Sequence, residues 1–193
     1  MRAPLKTGNL LCALLALCLT SACYRGGGRP LDRASLAVDP GWIALPGVPE
    51  VQQRGERDCG AAAAAMVLGY WGINVKQEEI RAASLLPETA ALSAGFLRDY
   101  LRGRGLRTYL IKGTLGDLET ELRAKRPVLV GVIKPYLTTS YAHYQVVIGF
   151  NPVSHRIAVI DPADGWREYP VDAFTGEWTA AGLVTLVASQ PAG

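Results

Sequence analysis

"RGERDCGAAAAAMVLGYWG", Arg54 to Gly72, sets one cysteine at the head of five alanines. Alanine is the best helix former and adds almost no bulk. The run therefore reads as a slender helix over 59–70 that can lie close against its neighbours, with Asp58 at the N-cap position and Gly72 at the exit. Cys59 falls in the first turn, where unsatisfied N–H groups and the helix macrodipole favour an anion. A thiolate, not a thiol, is the nucleophilic form of cysteine. Two readings of Cys59 stand side by side: a small buried side chain opening a core helix, or a reactive group.

Outward from this stretch the pattern stays helical as far as Lys125. "KQEEIRAAS" and "SAGFLRDYLRGRG" read as helices, the latter with Phe96, Leu97, Tyr100 and Leu101 at helical spacing. "TLGDLETELRAK" is a further helix, opened by a Thr114-x-x-Asp117 capping pattern, and "LRTYLI" is a strand between the last two. After Pro127 the runs become strands: "VLVGVI", "HYQVVIGF", "RIAVIDP", "WREYP" and "LVTLVA". Helices followed by a mostly antiparallel sheet place the chain in the α+β class.

The 193 residues suffice for one domain with its own core, and 49% hydrophobic against 19% charged residues describe a globular chain. A net charge of +3, with no basic run interleaved with aromatics, gives no electrostatic basis for nucleic-acid binding. The start of the chain is different in kind. Arg2 and Lys6 precede the apolar run Leu10–Thr20, which is too short to span a membrane and has the form of a secretion signal. "LTSAC" resembles the lipobox of bacterial lipoproteins, which implies cleavage before Cys23 and its acylation; cutting by an ordinary signal peptidase near the same small residues is the alternative. By the sorting rule of such lipoproteins, Tyr24 after the cysteine points, in a cell that has an outer membrane, to that membrane's periplasmic face rather than to retention in the inner membrane. The expected organisation is a signal peptide over 1–22, a Gly- and Pro-rich tether over 23–42 and a folded domain over 43–190. Removing the signal takes Arg2 and Lys6 away and lowers the net charge to +1. It also removes Cys12 and Cys18, so with Cys23 lipidated Cys59 is the one free thiol and no disulfide framework is left.

A nucleophilic cysteine needs a base. Two histidines remain, His143 at the start of a strand and His155 in a predicted turn. Asp161 ends the next strand. If the hairpin turns at Pro152, His143 and Asp161 face each other across the ladder, and the carboxylate can fix the imidazole tautomer while the other ring nitrogen faces the thiol. The backbone N–H of Cys59 and a side-chain amide upstream, Gln52 or Gln53, are candidate oxyanion donors. Tyr141, Tyr144 and Trp71 read as core aromatics or as lining for a cleft. Neither metal-ligand spacing nor a phosphate-binding fingerprint such as a Walker A pattern occurs, so no cofactor is expected.

"QRGERDCGAAAAAMVLGYWG", "DLETELRAKRPVLVGV" and "HYQVVIGFNPVSHRIAVIDPADG" together resemble the papain-like peptidases that process bacteriocin leaders after a double glycine. The resemblance runs over residues 48–188. It implies a papain-like fold, Cys59 as nucleophile, His143 as base, Asp161 as orienting carboxylate and Gln53 as oxyanion donor. It departs from the family in having Ala where a second cysteine often stands in the alanine run. The implied partners are a peptide or protein substrate, the membrane through the lipid anchor, and export or secretion machinery of the envelope. A cell-wall amidase, endopeptidase or acyltransferase of papain-like type, and a non-catalytic peptide-binding or assembly module, are the rival functions.

Overall fold

The computed structural model describes residues 27–136 and 138–191. The expected signal peptide and Cys23 lie outside the described residues. In chain order the elements are β1 (Arg29–Pro30), α1 (Ser35–Val38), β2 (Ile43–Ala44), α2 (Cys59–Tyr70), α3 (Gln77–Ala83), α4 (Ala94–Gly103), β3 (Arg107–Lys112), α5 (Leu115–Arg123), β4 (Val128–Tyr136), β5 (Thr139–Asn151), β6 (Arg156–Asp161), β7 (Gly165–Pro170), α6 (Val171–Ala180) and β8 (Val184–Ser189). The strands form one eight-stranded sheet in the order β1-β7-β6-β5-β4-β8-β3, with β2 pairing β5, and every pairing is antiparallel. The fold is α+β, as the helix-then-strand pattern predicts.

Helix α2 has the bounds read from the alanine run, and its residues 59–68 are all buried. A helix that is apolar all round is a core helix, and α2 packs between the sheet and its sister helices α3 and α4. Two glycines serve this placement. A Cβ on Gly60 would lie 3.2 Å from the Tyr144 ring and 3.3 Å from Leu97, so the turn carrying Cys59 sits tight on strand β5. Gly72, at φ +77°, takes the left-handed conformation that ends the helix, and Ile73 N–H bonds Leu68 C=O at 2.9 Å.

Local chemistry sets the other helix starts. Ser93 Oγ accepts from Phe96 N–H at 3.1 Å to open α4. Thr114 and Asp117 form the reciprocal capping box of α5, at 3.1 and 2.8 Å. Asp58 differs from expectation: it occupies the N-cap position, yet its side chain makes no cap hydrogen bond to α2. Its carboxylate accepts instead from Gly55 N–H at 3.0 Å and from Arg81 Nε at 2.8 Å.

Two regions depart from the sequence reading. Residues 29–42, expected within the tether, pack on the domain. Strand β1 pairs with β7, and Leu31 and Leu36 are buried in the core. Those leucines are what a Gly- and Pro-rich composition conceals. Helix α6 was not expected. Its signal is the aromatic pair Phe174 and Trp178 one turn apart, both buried, with ring centroids 5.5 Å apart.

Candidate active site

The site lies where the start of α2 meets the middle of the sheet. Cys59 is buried at the first residue of α2. The loop before it is held by Arg81 of α3, whose guanidinium bonds the Asp58 carboxylate at 2.8 Å, the Ala90 carbonyl at 2.7 Å and the Arg57 carbonyl. One side chain thus ties residues 57–58 to the segment around Ala91 and Leu92, which lines the same pocket as Cys59.

His143 stands on β5, only 4% exposed, and lines one pocket with Cys59, close enough for the sulfur to bear on the protonation of the imidazole. Its Nε2 lies 2.7 Å from Asp161 Oδ1. With Nε2–H directed at the carboxylate, Nδ1 is the nitrogen left for the sulfur. The three residues singled out in the sequence are brought together.

The route to that arrangement is not the expected one. Near the hairpin Asn151 pairs with Arg156 and Gly149 with Ala158, but beyond a bulge between Val147 and Gly149 the register shifts, so that Val147 pairs with Val159 and Val146 with Ile160. The hairpin turn spans residues 152–155, with His155 exposed at φ +51°. Continued one step, the register sets Gln145, not His143, opposite Asp161. His143 is the diagonal neighbour on the same face. Without the extra residue at Ile148, Asp161 would oppose Val146 and share a face with Tyr144 instead. The bulge therefore decides that imidazole and carboxylate meet.

Asp161 is the hub of a buried network. Oδ1 accepts from His143 and from Ala163 N–H at 2.8 Å. Oδ2 accepts from Gln145 Nε2 at 2.7 Å and from Lys134 Nζ at 2.7 Å. Tyr169 Oη takes a bond from Lys134 at 2.7 Å and from Gln145 at 3.0 Å. Four donors fill the acceptor capacity of the carboxylate. Burial works against its charge, but the His143 bond and the imidazole and Lys134 charges hold the Asp161 carboxyl far below the usual range. Burial likewise opposes the charged imidazole, yet the bond to Asp161 and the neighbouring Cys59 carry His143 up to about 9. Burial pushes the Tyr144 phenol beside the thiol up to about 12. Sequence reasoning missed Gln145, Lys134 and Tyr169. The legible signal was Lys134, the one charge in the otherwise apolar run of β4.

Gln53 lines a cleft of 430 Å³ together with His143, Tyr136, Tyr141, Ala163 and Asp164. Its backbone N–H bonds Pro162 C=O at 2.8 Å, and its side-chain Nε2 donates to Gly55 C=O at 2.9 Å. His143 also lines an apolar pocket of 180 Å³, together with Cys59, Ala91, Leu92, Gly131, Ala142, Tyr144 and Val184, among others. Tyr141 packs edge-on to His143, centroids 5.9 Å apart, so Tyr141 and Tyr144 flank the site while Trp71 packs half-buried against the core. Among the described residues no group of three or more His, Cys, Asp or Glu side chains is placed to hold a metal ion.

The fold and the thiol–imidazole pair define a cysteine peptidase. The chain belongs to the Peptidase C39 family, whose model matches residues 48–192. It is 32% identical over 147 residues to the transport/processing ATP-binding protein ComA of Streptococcus pneumoniae, covering 74% of this chain and 18% of ComA. It is 31% identical over 132 residues to the lactococcin-A transport/processing ATP-binding protein LcnC of Lactococcus lactis, covering 66% of this chain and 17% of LcnC. The chain thus spans less than a fifth of the length of these curated relatives. Among solved structures, the peptidase domain of Streptococcus ComA superposes with a TM-score of 0.62 at 24% identity, covering 75% of this chain and 99% of that domain. A double glycine motif protease from an AMS/PCAT transporter, solved with its leader peptide, gives 0.58 at 22% identity, covering 75% of this chain and 92% of that one.

Proposed function

We propose that the protein is an exported, lipid-anchored cysteine peptidase that cleaves a peptide bond through a Cys59-His143-Asp161 triad. His143, bonded to the Asp161 carboxylate and sharing a pocket with Cys59, supports the triad part of this reading. In the proposed cycle, His143 Nδ1 takes the thiol proton and the sulfur attacks the scissile carbonyl carbon. The imidazolium then gives that proton to the leaving amine as the C–N bond breaks, leaving a thioester on Cys59. Water, deprotonated by His143, hydrolyses the thioester and restores the thiol. Asp161 keeps the imidazole in its tautomer and orientation throughout. The Cys59 N–H and the Gln53 amide receive the oxyanion. Gln53 Nε2 exchanges its bond to Gly55 C=O for one to substrate in that step.

The substrate is read as a peptide that crosses the cleft beside His143 and reaches the apolar pocket beside Cys59. The family match supports a peptide, as does the leader peptide held by the transporter-derived protease. Acylation at Cys23, with the domain on the periplasmic face of the outer membrane, is the reading carried from the lipobox-like "LTSAC". The relatives' pairing of processing with transport makes envelope export machinery the expected partner. Incubating the full chain with a peptide library and reading products by mass spectrometry tests the chemistry. Cleavage that stops in Cys59→Ala supports it; undiminished cleavage by that variant ends it. Labelling by a fatty-acid analogue, lost in Cys23→Ala, tests the anchor separately.

A further inference from the structure

Lys134 is fully buried on β4, at 0% exposure, with Nζ 2.7 Å from Asp161 Oδ2 and 2.7 Å from Tyr169 Oη. Stability alone gives little reason for a charge there, since an apolar side chain of equal volume commonly serves a core as well as a buried ion pair. What the lysine adds is a fixed positive charge one carboxylate away from the imidazole. A buried carboxylate with no other cation would hold an imidazolium tightly, and a tightly held imidazolium is a poor proton donor to a leaving amine.

We propose that Lys134 is a positioning residue of this site: its ammonium is the counter-charge that pins the Asp161 carboxylate behind His143 and divides the carboxylate's pull between ammonium and imidazole. The proposal rests on His143 being the acid–base group of the reaction. Geometry supports it on both sides of the carboxylate. His143 and Ala163 N–H take Oδ1, Lys134 and Gln145 take Oδ2, and Tyr169 ties Lys134 to Gln145 from behind. The groups around the imidazole come from every packed element: Cys59 of α2, Lys134 of β4, Tyr141 and Tyr144 of β5, Asp161 of β6, Tyr169 of β7, and Glu177 of α6, with Glu56, Arg57 and Asp164 on the cleft rim. Arg57 is an exposed cation on the rim; Lys134 is the buried one, bonded to the Asp161 carboxylate itself. Burial opposes its charge, but Asp161 and Tyr169 outweigh burial and keep the amine protonated.

The chain holds only two histidines, so histidine NMR can follow His143 and His155 separately. In a Cys59→Ala background, adding Lys134→Met or Lys134→Gln is expected to raise the His143 titration midpoint by about one pH unit and leave His155 still. Gln keeps a hydrogen-bond donor but not the charge, so it separates counter-charge from simple bonding. In the active chain the alkaline limb of kcat/KM moves up with the midpoint. A His143 midpoint unmoved or lowered in folded Lys134→Gln overturns the proposal. So does a Lys134 amine found neutral at pH 7 by ¹⁵N NMR of the unsubstituted protein, a measurement that needs no variant to fold. The NMR readouts need no turnover, so a failure of the peptidase reading leaves them standing and is told apart from a failure of this one.

Discussion

The two halves of the site are built by different physics. The thiol half is packing: α2 is buried from Cys59 to Leu68, and slim alanines let it press against the sheet and the neighbouring helices. The base half is charge: His143, Asp161 and Lys134 are buried together and fill one another's hydrogen bonds on β4, β5 and β6. A nucleophile must be placed within reach; a base must also hold a proton on the correct nitrogen. Perturbing volume should therefore disturb the first half through stability, and perturbing charge should disturb the second through chemistry.

Asp161→Ala should have the largest effect. It removes the group that orients His143 and strands the Lys134 charge in the core. Activity should fall on the order of 10⁴-fold, and stability by about 3–5 kcal/mol, read as kcat/KM and as a midpoint in denaturant. If activity is lost with no stability change, the electrostatic account of this half is broken. Ala63→Leu, at a position with no exposed surface, should cost about 1–3 kcal/mol by overpacking. The activity that remains per folded molecule should stay near normal, which sharpens the contrast with Asp161→Ala. Arg81→Ala should sit between packing and chemistry. It frees residues 57–58 from Ala90 and should lower stability by about 1–3 kcal/mol, with a larger loss of kcat than a surface substitution produces.

The base half also makes stability depend on pH. His143 is raised to about 9, so its contribution is full below about 6.5 and is lost as pH rises through the folded value. Asp161 is depressed, so its contribution is present above about 4 and is lost as pH falls below that. The thermal midpoint should decline between about pH 6.5 and 9 in the natural protein, and His143→Gln should flatten that decline. A decline of equal size in His143→Gln would assign it to other groups.

The same contrast explains what could be read from the chain. Helix α2 was legible to the residue because its signal is contiguous: a propensity run, a polar residue before it and a glycine after it. His143 and Asp161 were legible as residue types at strand ends, but their register was not. Centring the hairpin on Pro152 set them directly opposite, whereas the bulge at Ile148 makes them diagonal; Gly149 inside "VVIGF" is the local mark of a bulge, but it does not tell how far the register moves. Lys134 and Tyr169 depend on two further strand pairings, β4 with β5 and β6 with β7, so no local pattern could join them to Asp161. Residues 29–42 show the opposite error. A composition typical of tethers hides Leu31 and Leu36, whose burial binds that segment to β7 and the core.

The central claim is that the Cys59 sulfur, activated by His143, forms an acyl-enzyme. Intact-protein mass spectrometry within milliseconds of mixing with an activated peptide ester tests it most directly. The account predicts a single acyl adduct that maps to Cys59, forms at a strongly reduced rate in His143→Gln and is absent from Cys59→Ala. Peptide cleavage with no adduct at Cys59, or an adduct that forms equally fast without His143, would contradict it.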